Sequence, residues 1–202
     1  MSYKLGVVVP ALLLLAAPAA HAQPQLELMP ALGLGQPMGR GSDTMDVGPG
    51  VMVSVGARMH PMASLRGQLT VDRPGVDSEL PGVDASLWMF RGEIVPAFHL
   101  GNEKIDVGVG PAAGFFYMRT DVEGSTPVAP VEATGMARGF TLGLQTWLMV
   151  RVNPQLSVGP VFSYGRLWAS KVCFKEQGGP EMCDEPDNDD EGYWNLWLGV
   201  LF

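Results

Sequence analysis

The sequence predicts an all-β fold, an eight-stranded antiparallel up-and-down transmembrane β-barrel. Eight segments alternate their side chains with period two, and each presents a mostly apolar face on one side. The connections between these segments alternate between long and short. Glycine and proline are frequent, at 26 and 17 of 202 residues, and no long helical pattern interrupts the segments. This composition favours short strands and turns.

The first 22 residues have the pattern of a secretory signal peptide. Lys4 supplies the positive charge, residues 7–17 form an apolar core, and Ala20-His21-Ala22 has the small-x-small form that precedes cleavage. This apolar run is too short for a membrane anchor, and no stop-transfer flank follows it. We therefore expect residues 1–22 to be removed on export and residues 23–202 to form one barrel domain.

The first three strands set the pattern that the others follow. In the first, leucines alternate with Glu27 and small residues; in the second, valines alternate with glycine, serine and Arg58; in the third, leucines alternate with Arg66 and other polar residues. The eight expected strands cover residues 26–35, 47–58, 63–72, 86–100, 104–119, 138–152, 155–170 and 193–202.

The last five strands repeat this alternation with larger apolar residues. In the fourth, Phe90, Ile94 and Phe98 oppose Arg91 and Glu93. The fifth, sixth and seventh place valine, leucine and phenylalanine opposite mainly small and polar residues, and the eighth alternates Trp194, Leu196, Leu198, Val200 and Phe202 with Asn195 and Trp197. Five prolines inside these strands lack a ladder N–H, so we expect bulges or interface-level positions at Pro30, Pro49, Pro96, Pro111 and Pro160.

Alternation alone does not decide whether the apolar face lines the interior, as in a soluble lipocalin-like barrel that binds an apolar ligand, or faces lipid. The opposite face combines many glycines with charged side chains, which is typical of a crowded polar lumen rather than a solvent surface. We expect these charges to pair as an internal network, and Trp147 and Trp197 to help occlude the lumen. The expected network residues are Glu27, Arg58, Arg66, Arg91, Glu93, Lys104, Asp106 and Arg151.

An aromatic residue recurs on the apolar face of the last five strands, near the end that adjoins the long connections. Rings at one level on neighbouring strands are typical of the girdle that a membrane barrel places at headgroup depth. Ordinary aromatics in a soluble core are the alternative explanation. The expected girdle comprises Trp88, Tyr117, Phe140, Trp168 and Trp194.

The terminal Phe202, the alternation of long and short connections, and Val-Gly-Pro at residues 47, 109 and 158 resemble the small eight-stranded outer-membrane barrels of the OmpA and OmpX type. The resemblance covers the whole mature chain. It implies a location in the outer membrane of a Gram-negative bacterium, contact with outer-membrane lipids, and a role for Phe202 in the signal that the barrel-assembly machinery recognises. It also implies that residues 36–46, 72–85, 120–137 and 171–191 are extracellular loops.

The last of these loops carries the two cysteines and a cluster of acidic residues. Cys173 and Cys183 form an even pair in an exported chain, which favours a disulfide over a metal site. Residues 171–191 hold eight carboxylates against Lys171 and Lys175, a net charge of −6. The run lacks the ligand order of an EF-hand, so a solvated loop that contacts an unknown extracellular partner is the preferred interpretation, with weak cation binding as the alternative.

The sequence predicts no enzyme, metal site or cofactor. After signal cleavage only His60 and His99 remain, both near short turns, and Ser163 has no nearby histidine. No dinucleotide, zinc or haem motif is present, and the absence of a basic stripe excludes nucleic acid. We expect a structural or surface-recognition role through the long loops, with a narrow anion-selective pore or a lipid-modifying enzyme as less favoured alternatives.

Overall fold

The computed structural model describes residues 25–39, 45–76, 82–125, 130–176, 178–185 and 191–202. The expected signal peptide, residues 1–22, lies outside the described residues. No helix in the described residues is long and apolar enough to cross a membrane. The strands are β1 (Gln25–Met38), β2 (Met45–Asp46), β3 (Gly48–His60), β4 (Ala63–Asp72), β5 (Gly75–Val76), β6 (Val83–Gly101), β7 (Ile105–Ser125), β8 (Pro130–Asn153), β9 (Leu156–Glu176), β10 (Met182–Asp184) and β11 (Gly192–Leu201).

Eight of these strands close into a ring in which every neighbouring pair is antiparallel. The order is β1, β3, β4, β6, β7, β8, β9 and β11, and β11 pairs again with β1. Following paired residues once around the ring from Leu28 returns to Met38, ten residues further along the same strand. Such a stagger requires the strands to tilt against the barrel axis. The predicted eight-stranded up-and-down barrel is confirmed.

The wall of the barrel is apolar outside, and its interior combines charged and polar side chains with buried apolar ones such as Met52 and Val95. Outward residues such as Leu32, Leu69 and Ile94 are 68%, 69% and 59% exposed. Inward residues such as Arg66 and Asn195 are buried. A continuous exposed apolar belt is not stable in water but suits a lipid environment. The exposed belt argues against the soluble lipocalin-like alternative, in which the apolar face would line the interior.

The two ends of the chain complete the ring together. Phe202 N donates to the Leu28 carbonyl oxygen at 2.9 Å, and Leu28 N donates to the Phe202 carbonyl oxygen at 3.3 Å. The ladder between β1 and β11 then continues from Ala31 and Gly199 upward. The terminal phenylalanine thus forms the last backbone contact of the barrel seam.

All four of the expected loops contain more strand than their glycine and proline content suggested. Residues 120–137 were expected to be a polar loop, but β7 and β8 continue as a paired hairpin from Thr120 and Gly135 to Ser125 and Pro130. β9 runs on to Glu176 and pairs with β10. β2 pairs with β5, which links the connections before β3 and after β4. Backbone pairing with an already formed neighbour strand overrides weak local propensity here.

We name the strand segments beyond the barrel wall the crest: residues 119–125 of β7, 130–138 of β8, 171–176 of β9, and β10. Cys173 and Cys183 lie directly opposite each other on β9 and β10 and form the predicted disulfide. Glu181 lies beside the two sulfur atoms. Sulfurs joined to each other are not thiolate ligands, so the disulfide replaces a metal site here.

The strand prolines interrupt hydrogen-bonded ladders without shifting their register. Between β6 and β7 the pairing stops after Ile94 with Ala113 and resumes in the same register at Phe98 with Val109, across Pro96 and Pro111. The expectation of bulges is wrong at this pair. Because Pro96 and Pro111 lie opposite each other, the two missing N–H donors fall in one gap of the ladder. Prolines at separate heights would interrupt the ladder twice.

Candidate functional site in the barrel lumen

The lumen contains a lower cluster of charges at the end of the barrel that carries the short turns. Glu27 Oε1 accepts from Arg58 Nε at 2.7 Å, and Glu27 Oε2 accepts from Arg66 Nη2 at 2.7 Å. Arg58 Nη2 also donates to Asp106 Oδ2 at 2.7 Å. These residues come from β1, β3, β4 and β7, so their ion pairs tie half of the ring together across the lumen.

A Ser–His–Asp chain lies within the same cluster. Ser64 Oγ is 2.7 Å from His99 Nε2, and His99 Nδ1 is 3.0 Å from Asp106 Oδ2. Arg58 Nη2 also approaches His99 Nδ1, at 2.9 Å. Guanidinium nitrogens only donate and carboxylate oxygens only accept, so His99 Nδ1 lies between a donor, Arg58, and an acceptor, Asp106. The sequence analysis missed Ser64, because the register of β4, β6 and β7 was needed to bring it to His99.

An upper cluster surrounds Arg91. Its Nη2 donates to Asp72 Oδ2 at 3.1 Å and to Asn195 Oδ1, and its guanidinium lies 3.7 Å from the centre of the Tyr193 ring. Asn195 Nδ2 donates to Asp72 Oδ1 at 3.1 Å. Tyr193 Oη donates to Glu93 Oε1 at 2.7 Å, so Tyr193 contacts both Glu93 and the arginine.

Glu93 extends this cluster into a row of uncharged polar side chains. It accepts from Gln68 Nε2 at 2.8 Å and from Thr141 Oγ1 at 2.7 Å. Gln145 Nε2 in turn donates to Gln68 Oε1 at 2.8 Å and to Ser163 Oγ at 3.1 Å. Hydrogen bonds of this kind offset the cost of removing polar groups from water. The row thus runs from Gln68 on β4 to Ser163 on β9, which lie on opposite sides of the ring.

Two tryptophans fill the space between the clusters. Trp147 and Trp197 are each 2% exposed and lie inside the barrel, as the sequence predicts. The Arg66 guanidinium lies 4.2 Å from the centre of the Trp147 ring. A Cβ at Gly108 would overlap the Trp147 indole, and one at Gly50 would crowd Trp197. The inward glycines therefore provide room for the large rings.

The lumen network differs from the predicted set at three positions. Lys104 and Arg151 are exposed and do not join it. Lys104 lies in the turn before β7, where strand alternation does not apply, and Arg151 lies at a register shift. Asp72, absent from the predicted set, is fully buried beside Arg91. The network of Glu27, Arg58, Arg66, Asp72, Arg91, Glu93 and Asp106 thus holds three cations and four carboxylates, and it loses the cationic excess that favoured an anion-selective pore.

The expected girdle residues all lie on the outward face, on β6, β7, β8, β9 and β11. Two further rings that the sequence analysis did not include, Phe90 and Phe115, lie among them. The girdle residues are Trp88, Tyr117, Phe140, Trp168 and Trp194. Phe90 lies 6.4 Å from Trp88 and 6.2 Å from Tyr117, and Phe115 lies 5.0 Å from Phe140 between ring centres. The aromatic band is therefore continuous from β6 to β8.

A closed ring of eight tilted strands, apolar outside and polar inside, defines the class of small outer-membrane β-barrels. A major outer-membrane protein from Thermus thermophilus is similar over 90% of this chain and 99% of its own, with a TM-score of 0.64 and 12% identity. The attachment invasion locus protein Ail of Yersinia pestis is similar over 90% of this chain and 100% of its own, with a TM-score of 0.55 and 13% identity. No protein-family model and no curated protein sequence matches the chain. At such identities the likeness defines the fold.

Proposed function

We propose that the protein is an integral outer-membrane barrel of a Gram-negative bacterium with an occluded lumen, and that it presents the crest for surface recognition. The observation that carries this proposal is the arrangement of the lumen, in which two charge clusters and two tryptophans fill a ring of eight strands. A ring of this size leaves room for little besides side chains. The apolar outer face anchors the barrel, and the lumen network holds its wall strands together.

The lumen is expected not to conduct. Opening a path would separate Glu27 from Arg58 and Arg66, or Arg91 from Asp72, and would leave charges unpaired in a confined space. The purified protein in a planar bilayer should show no steady single-channel events, while a larger porin in the same apparatus conducts. Reproducible current steps of one size would contradict the occluded lumen.

We also propose that the protein is not a hydrolase, although Ser64, His99 and Asp106 are aligned. Ser64 is only 3% exposed, and Arg58 occupies the side of His99 that faces Asp106. A serine nucleophile needs a substrate within reach and a histidine free to accept its proton. The Ser64–His99–Asp106 hydrogen bonds are therefore structural. Covalent labelling of Ser64 by a fluorophosphonate would contradict this assignment.

The crest supports a role in recognition. It extends the sheet beyond the barrel wall, and the Cys173–Cys183 disulfide fixes its last hairpin. Together with Glu181 and Glu185, which flank β10, the crest carries seven carboxylates against four cations, a net charge of −3, and burial raises the pKa of the nearby Glu191 carboxyl, which precedes β11. The exposed carboxylates include Glu123, Glu132, Glu176, Glu181, Asp184 and Glu185. Such a surface favours a partner with a basic face.

Neutralising acidic residues of the crest is expected to reduce binding of a basic polypeptide to intact cells. The variant Glu181→Gln, Asp184→Asn, Glu185→Gln removes three exposed charges without touching the barrel wall. Binding of fluorescent polylysine should fall severalfold, and the remaining binding should weaken with salt. Glu103→Gln, at the opposite end of the barrel, serves as the control and should leave binding unchanged. Equal binding by the triple variant would contradict the proposed acidic recognition surface.

A further inference from the structure

A pocket on the outer side of the wall combines two cations with an aromatic residue. Its volume is about 140 Å³, well above the roughly 10–15 Å³ that a cavity needs to hold one water. The pocket lies between β7, β8 and β9, where the barrel wall meets the crest. Its lining residues are Tyr117, Met136, Ala137, Arg138, Lys171, Cys173 and Glu181.

An irregularity in the strand pairing brings the two cations together. The register between β8 and β9 shifts between Arg138 and Gly139, so that Lys171 pairs with Arg138 while Ala169 pairs with Gly139. Ser170 is the extra residue, and its Oγ donates to the Arg138 carbonyl oxygen at 3.1 Å. In a regular strand Lys171 would follow Ala169 toward the interior. The bulge instead places Lys171 beside Arg138 in the same pocket.

The disulfide hairpin borders the upper side of the pocket. Cys173 is the Cα partner of Met136 on β8 and is bonded to Cys183 on β10. Glu181, just before β10, lines the rim. The pocket therefore has a wall fixed by barrel strands and a border fixed by a covalent link, which makes it a built site rather than a chance grouping of surface side chains.

The pocket lies directly above the aromatic band. Tyr117 lines it, and Arg138 is the next outward residue after Phe140 on β8, a step of about 7 Å along the strand. Aromatic rings on a membrane barrel mark headgroup depth. Arg138 and Lys171 therefore lie where lipid phosphates would surround the barrel, rather than in the hydrocarbon layer, where unpaired cations are costly.

We propose that this pocket binds a phosphate group of a phosphorylated glycolipid in the surrounding outer leaflet. The planar guanidinium of Arg138 can donate two parallel hydrogen bonds to phosphate oxygens, and Lys171 adds a second cation. Tyr117 offers a hydroxyl donor at the base of the pocket. The inference rests on the proposed outer-membrane placement and adds a lipid partner to it.

Vesicles of stated composition test the site. The protein is folded into phosphatidylcholine vesicles with or without lipid A, and its thermal unfolding is followed by heat-modifiable gel mobility. Lipid A should raise the unfolding midpoint of the wild type by several degrees, because a ligand that binds only the folded state stabilises it. The variant Arg138→Gln, Lys171→Gln should lose this rise. The control Arg73→Gln, Lys175→Gln removes the same charge outside the pocket and should retain it.

The outcomes separate the site from the proposed function. A double variant that keeps the full rise would overturn the phosphate site, even if the barrel inserts normally. An equal rise produced by inorganic phosphate in vesicles without lipid A would overturn the lipid as its source. Failure of the wild type to insert into any vesicle would instead contradict the membrane-barrel proposal. A rise that also disappears in Cys173→Ser, Cys183→Ser would further support the disulfide hairpin as part of the pocket.

Discussion

Replacing Arg91 with methionine is expected to destabilise the barrel by about 3–5 kcal/mol. Arg91 is 2% exposed and lies between Asp72 and Glu93, both of which are buried. Methionine retains much of the side-chain volume but leaves two carboxylates without a countercharge. The cost of an uncompensated buried charge exceeds that of a lost hydrogen bond, so the effect should be among the largest of any single substitution in the wall.

Urea unfolding in detergent micelles, followed by heat-modifiable gel mobility, measures this free energy. The triple variant Arg91→Met, Asp72→Asn, Glu93→Gln removes the cation together with both carboxylates, and it should recover most of the lost stability. Lys104→Met, at an exposed lysine in the turn before β7, should stay within about 0.5 kcal/mol of the wild type. A loss below about 1 kcal/mol for Arg91→Met would contradict the claim that Arg91 compensates the buried charges of Asp72 and Glu93.

Replacing Ile94 with arginine is expected to cost about 2–4 kcal/mol in a phospholipid bilayer. Ile94 points outward on β6, midway between Leu100 near the turn and Trp88 in the aromatic band. Its neighbours in register are Gly67 and Ala113, so the larger side chain meets little steric resistance. Any large effect must therefore come from placing a charge in the hydrocarbon layer.

Leu100→Arg provides the matched control for Ile94→Arg. Leu100 faces outward on the same strand but lies at its turn end, where arginine costs only about 0–1 kcal/mol. The free energy of unfolding of both variants is measured in phosphatidylcholine vesicles. Equal and small effects would indicate that Ile94 faces water, because an exposed substitution in water changes stability by about 0.5 kcal/mol or less.

The two faces of each wall strand could be predicted from alternation, and the charges and glycines on one face indicated which face points inward. Side chains in a strand point to opposite faces with period two, so one charged inward residue such as Arg66 fixes the direction of its whole strand. The inward positions of Asp72, Tyr193 and Asn195 follow from the same rule, although the rule does not show that Asp72 joins the network. The rule does not apply outside regular strand, as at Lys104 in the turn before β7.

The contacts across strands could not be predicted, because they depend on register. Ser64 and His99 are 35 residues apart, and Arg91 and Asn195 are 104 apart. Register follows from turn geometry and from bulges, which leave weak signals in a single sequence. The bulge at Ser170, which brings Lys171 to Arg138, is of this kind, and nothing in the alternation around it indicates an extra residue.

The strands of the crest could not be predicted from the sequence for a different reason. The crest segments lack an apolar face with period two, as at Thr120, Asp121, Ala133 and Gly135. The prolines and glycines around them are typical of loops. The hairpin forms because the barrel below it already holds β7 and β8 side by side, so each further pair adds hydrogen bonds without a new loop-closure cost. Local sequence does not carry that information.

Lipid contact along β6 tests the outward apolar face most directly. Spin labels are placed one at a time at Phe90, Ile94 and Phe98, which face outward, and at Val95 and Ala97, which face the lumen. In phosphatidylcholine vesicles the outward labels should collide with lipid-dissolved oxygen and be shielded from an aqueous nickel chelate, while the lumen labels should be shielded from both. Outward labels that are relaxed by the nickel chelate rather than by oxygen would show that water covers this face, and would contradict the membrane barrel.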